Sequence, residues 1–186
     1  MLRRILAFGL LLAGACDLIL PPADFEPTGS AFAMNPGIST PIIAGSLRHF
    51  SPVGRVTLDM TCRSTSGSRI ADTLPGGLLF RSRQNRVQHL LVVKPHRFVA
   101  ETSATLVVVG AFCCNERRTI PDYKDTFDLG PITDNPGLQQ IVSLVANKNI
   151  TVNLTLVANA VTQVTSYDSL PQAYVDSLRA LPDENL

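Results

Sequence analysis

Between residues 55 and 114 the sequence runs in short apolar stretches of strand length, each closed by turn-forming residues, and this punctuation predicts antiparallel sheet. Residues 55–62 alternate, with Val56, Leu58, Met60 and Cys62 on one face. Leu74-Pro75-Gly76-Gly77 is a turn into a strand at 78–83, and Gln84-Asn85-Arg86 turns into a run at 87–94 that Pro95 ends. The most apolar run is 102–114, centred on Leu106-Val107-Val108-Val109, and its near-continuous hydrophobicity predicts burial on both faces. Upstream, 37–44 is a short strand broken by Pro41, which suits an edge, and 63–73 reads as a Ser/Gly/Arg loop. Strands of this length at this spacing predict a β-sandwich.

At residue 115 the character changes. Residues 116–133 read as a polar, proline-containing loop with Asp122, Asp125 and Asp128. Asn135 followed by Pro136 is a helix start, and Leu138, Ile141, Val142 and Val145 then share a helical face up to a stop at Asn147-Lys148-Asn149. Residues 154–165 are rich in β-branched residues, which leaves strand open. Leu154, Val157, Ala158, Val161 and Val164 nevertheless share a helical face, and the length favours helix. Ser169-Leu170-Pro171-Gln172 has the form of a capping box opening a last helix with Tyr174, Leu178 and Leu181 apolar. Strands first and helices later is the α+β order. Residues 35–186 are thus expected to form one domain, an antiparallel β-sandwich followed by two or three packed helices at about 135–182.

The first fifteen residues read as an export signal. Arg3 and Arg4 form a positive start, Ile5 to Leu12 an apolar stretch, and Ala13, Gly14 and Ala15 precede Cys16. A run of roughly ten apolar residues is half of what a membrane-spanning helix needs. Two processing chemistries fit. Ala13-Gly14-Ala15 suits ordinary cleavage and secretion, and the same residues before Cys16 resemble a bacterial lipobox, in which the cysteine thiol is acylated, although Ala13 stands where leucine is usual. The second reading places the protein outside the cytoplasm, anchored to a bacterial membrane through Cys16, in the periplasm or at the cell surface. Residues 16–34, rich in Pro, Ala, Gly and acidic residues, then form a flexible tether. Removing Arg3 and Arg4 with the signal leaves 14 of 16 basic residues against 15 acidic ones, so no basic field remains to draw in nucleic acid. The expected partners are the membrane, through the anchor, and an envelope protein or surface ligand.

With Cys16 acylated, Cys62, Cys113 and Cys114 remain for an oxidising compartment. A disulfide from Cys62 to either member of the pair is the expectation, and because successive strand residues face opposite ways, only one of Cys113 and Cys114 can face Cys62. There is no C-x-x-C motif and the histidines are scattered, so no metal or cofactor is implied.

Leu74-Pro75-Gly76-Gly77-Leu78-Leu79-Phe80, the strand ending Phe112-Cys113-Cys114-Asn115, and Pro121 resemble a pattern of bacterial extracellular domains. Asp134 to Gln140 and Ala160 to Ser166 stand where the helices of that pattern fall. Over residues 74–181 the chain also resembles the thioester domains of bacterial surface adhesins, which implies a sandwich of immunoglobulin-like or thioester-domain-like form. In those domains a cysteine thiol and a glutamine side chain form an internal thioester. Here the glutamine position falls on Ala158, or on Leu156 in a shifted register, and neither can acylate a thiol. Thr162 replaces the tryptophan of the motif, and Gln163 lies one turn beyond Asn159. No thioester is predicted.

The remaining chemistry is sparse. Arg81, Arg83 and Arg86 cluster on one hairpin and could grip an anion or form a hydrated rim against the acidic loop. Asp122, Asp125 and Asp128 lack the spacing of a calcium loop. Ser64 and Ser169 lack the context of an activated nucleophile. The sequence thus predicts a non-catalytic binding module. Its alternatives are a thiol-dependent covalent adhesin or enzyme using Cys113 or Cys114, and a purely structural envelope component.

Overall fold

A computed structural model describes residues 24–184; the signal, Cys16 and the first part of the tether lie outside them. Nine strands precede three helices: β1 Gly29–Ser30, β2 Ile42–Ser46, β3 Val56–Cys62, β4 Ile70–Leu74, β5 Leu78–Ser82, β6 Leu90–Leu91, β7 His96–Ala100, β8 Thr105–Cys113, β9 Thr126–Thr133, α1 Pro136–Val145, α2 Leu154–Tyr167 and α3 Gln172–Arg179. The α+β order stands.

The sandwich does not. Six antiparallel strands run in the order β9-β2-β3-β8-β6-β5, and β5 pairs back onto β9, so the sheet closes into a barrel. The closing strand lies in what reads as loop. β9 pairs with β2 through Ile43 and Phe127 on one side, and with β5 through Phe80 and Leu129 on the other. Gly130 and Pro131 look like strand breakers, but the β5–β9 register shifts between Leu78 and Phe80, and such a bulge accommodates both residues. A Cβ on Gly130 would press on the Leu79 carbonyl oxygen.

Alternation decides the interior. Leu58, Met60 and Cys62 of β3, Val107, Val109 and Ala111 of β8, Phe80 of β5 and Phe127 of β9 form one buried cluster. A six-stranded barrel has room for side chains and little else, and Leu58, Met60 and Phe80 are fully buried in it. Each such side chain stabilises the fold by about 1.5–3 kcal/mol. A second, two-stranded sheet of β4 and β7 adds Leu74, Phe98 and Ala100 to the same cluster. This ribbon replaces part of the expected loop at 63–73. β2 is paired on both sides and begins after Pro41, so it is not an edge.

The opposite face of β5, β6 and β8 carries the helices. Leu79, Leu91, Phe112 and Cys114 cluster with Leu138, Ile141, Val145, Val157, Val161, Val164 and Leu178. β8 is therefore buried on both faces only in its second half, since Leu106 is half exposed. α1 starts as expected, with the Asn135 side chain accepting from Leu138 N–H and Pro136 at the first turn. α2 is a helix, capped by Asn153. α3 follows Pro171 without a side-chain cap, so Ser169 does not close a capping box. Among the described residues no helix is long and apolar enough to cross a membrane.

The expected tether does not reach residue 34. β1 pairs with β9, Phe25 packs against the helix cluster, and Phe32 and Met34 pack against the barrel core. Residues 24–34 thus belong to the folded unit.

Candidate functional site

Three connections share one end of the barrel: residues 47–55 between β2 and β3, 83–89 between β5 and β6, and 114–125 between β8 and β9. Close packing fixes two of them. A Cβ on Gly45 would overlap the Asp122 carbonyl, so the third connection lies directly on β2, where Gly45 N–H donates to Asp125 O at 2.9 Å. Gly54 likewise lets the first connection lie on the backbone of Gly110 and Ala111.

Held in this way, the connections display apolar side chains to solvent. Leu47 is 68%, Phe50 81%, Ile120 66% and Tyr123 56% exposed. A groove of about 620 Å³ runs between Leu47, Arg48, Asp59 and Tyr123, and a neighbouring one of about 270 Å³ lies between Leu47, Phe50, Arg55 and Ile120. Leu47 lines both, so the four residues form one continuous patch. Scattered exposed apolar residues are ordinary, whereas a contiguous group on loop tips marks a contact surface. Arg48, Arg55, Arg117 and Lys124 stand on the same connections with no ion-pair partner among the described residues. Lys124 Nζ lies 5.3 Å from the centre of the Tyr123 ring.

His49 on this patch contacts Asp59 Oδ1 at 2.8 Å and Ser46 Oγ at 3.3 Å, both through Nδ1. A nucleophile relay needs the hydroxyl and the carboxylate on opposite ring nitrogens. This trio instead orders the start of the connection, where Ser46 Oγ also accepts from His49 N–H.

Behind the patch lies a largely buried polar network. His89 Nδ1 accepts from Ser82 N–H at 3.0 Å, and Arg118 Nη1 approaches Nε2 at 2.9 Å. A neutral imidazole has one acceptor nitrogen, so either tautomer accepts from only one of the two donors, and both donors oppose protonation. Burial first, and Arg118 second, push the His89 pKa down to about 4. Arg118 also donates to Asp24 and Glu26, and Asn115 Nδ2 donates to Phe25 O at 2.8 Å. The Arg118 hydrogen bond holds the Asp24 carboxyl below its ordinary value. The network fastens the start of the described chain to this barrel end.

The arginines singled out in the sequence do not converge. Arg81 Nη2 donates to Pro27 O at 3.0 Å, Arg83 Nε to Asp128 at 2.9 Å, and Arg86 reaches Asp125 at 3.4 Å. Asp125 and Asp128 are thereby engaged with arginine. The histidines are also apart: His49 lies on the patch, His89 in the network and His96 on the β4–β7 ribbon.

The expected disulfide is absent, and register gives the reason. Among the described residues Cys62, Cys113 and Cys114 are free. Cys62 pairs with Thr105 at the start of β8, and Cys113 ends that strand. Eight residues of strand separate the two positions by about 26 Å, whereas a disulfide requires Cα atoms within about 7 Å. The pair does face opposite ways, with Cys113 against the barrel core and Cys114 among the helices. Burial raises all three thiols, pushing Cys113 up to about 12.

The patch gives almost no signal in the sequence, because Leu47, Phe50, Ile120 and Tyr123 follow no period and meet only through the fold. No protein family, curated protein or solved structure matches the chain, so its function is read from its own residues.

Proposed function

We propose that the chain is an exported bacterial envelope protein, lipid-anchored through Cys16, that works as a non-catalytic binding module through the loop end of its barrel. The observation that carries the binding role is the continuous exposed patch of Leu47, Phe50, Ile120 and Tyr123 on well-packed connections. The filled barrel interior supports an external contact surface. The leader and Cys16 support the compartment.

Thiol chemistry draws no support from the geometry. A reactive cysteine is an accessible thiolate in an electropositive setting, and Cys113 and Cys114 are buried or half-buried thiols with raised pKa values.

Two measurements test the proposal. Labelled palmitate should enter the protein made in a lipoprotein-processing bacterium and should be lost in Cys16→Ser. In the native fold Cys62, Cys113 and Cys114 should react with a thiol reagent only after unfolding. Absence of label overturns the anchor, and a fast native thiol overturns the non-catalytic reading.

A further inference from the structure

The binding patch and the start of the described chain share one end of the barrel. Asp24 is fastened to Arg118, two residues before the exposed Ile120. Seven residues separate Cys16 from Asp24, and eight Cα steps span at most about 28 Å. An acyl chain on Cys16 therefore keeps Asp24, and the Arg118 that holds it, within that distance of the acylated residue.

We infer that the loop end seats on the bilayer itself, with Leu47, Phe50, Ile120 and Tyr123 entering the headgroup region. This inference rests on the reading of Cys16 as acylated. Two observations favour lipid as the occupant. The point where the chain leaves the fold turns this end, rather than the β4–β7 end, towards the anchor. The apolar residues stand on loop tips, Phe50 and Tyr123 are aromatic, and a ring at headgroup depth suits an interface. The contact can be weak for each residue, because the anchor makes it intramolecular.

The absence of tryptophan makes the test direct. Phe50→Trp places a single reporter at a position 81% exposed, where the fold is not challenged, and Tyr123→Trp supplies a second. Leu106→Trp, at the opposite end of β8, is the control. The processed protein is purified from membranes and reconstituted into phosphatidylethanolamine–phosphatidylglycerol vesicles with brominated acyl chains. The Phe50→Trp and Tyr123→Trp indoles should be blue-shifted and quenched about twofold more than the control, as expected for side chains about 5–10 Å into the headgroup–acyl boundary. Emission equal to that of the control in both variants overturns the inference, including the case in which a protein covers the patch in native membranes. The mass of the mature N-terminus reads the anchor separately. An acylated protein with unquenched indoles overturns the seat and keeps the anchor. An unacylated protein with quenched indoles keeps the seat and overturns the anchor.

Discussion

Arg118 binds Asp24 across 94 residues of sequence, with Nη2 2.9 Å from the carboxylate and the arginine side chain only 11% exposed. The same guanidinium reaches Glu26 at 3.0 Å and the ring of His89 at 2.9 Å. One side chain therefore joins the entering chain, the β8–β9 connection and a buried imidazole.

Arg118→Met removes all three contacts. It should destabilise the domain by about 1–3 kcal/mol, because a buried charged partner is lost while Asp24 and Glu26 remain solvated. Limited proteolysis should then cut at residues 24–28 much faster than in the parent. Unchanged cutting would mean that this segment is held elsewhere.

His89 sets an acid limit. Its folded pKa, about 4, lies below the ordinary 6.5, so as pH falls the unfolded chain takes up the proton first. The stability is fully present above pH 6.5, is lost as pH falls towards 4, and levels off below that. The free-energy equivalent is about 3 kcal/mol. Urea titrations across this window should show a shallower loss for His89→Gln. Some slope should persist, because burial also lowers the His96 pKa. Asp24, held below 3.8, adds its own loss only under that pH.

Lys94 closes the end of α1. Its Nζ donates to Val145 O, Ala146 O and Lys148 O at 3.2, 2.9 and 3.0 Å and pairs with Glu184 at 2.7 Å. Val145 ends α1 and Ala146 is its C-cap, so the ammonium stands at the negative end of the helix. Lys94→Met keeps the stem and removes the donors, and it should cost about 2–4 kcal/mol in urea unfolding. A loss under about 0.5 kcal/mol would show that water replaces the ammonium.

Reductant should leave the unfolding midpoint unchanged, since Cys62 of β3 stands beside the start of β8 and Cys113 at its end. A lower midpoint in reductant would require a bridge that this register excludes.

Local signals were legible and closure was not. Leu58, Met60 and Cys62 alternate, and Asn135-Pro136 caps α1, because each depends on neighbours in sequence. β9 was hidden because Gly130 and Pro131 are tolerated only at a bulge opposite Leu79, which exists once the barrel has closed. The β4–β7 ribbon was hidden for a related reason. Ile70–Leu74 is polar on its outer side and earns its pairing from Phe98 and Ala100, which lie beyond a turn and another hairpin. The patch depends on Gly45 and Gly54, whose role is to let backbones touch.

That the loop end is the working face of the molecule is tested most directly by hydroxyl-radical footprinting in native membranes. Phe50 and Tyr123 should be protected there and become reactive on detergent extraction, while Leu106 reacts equally in both. Equal reactivity of Phe50 and Tyr123 in membranes and in detergent would contradict the account.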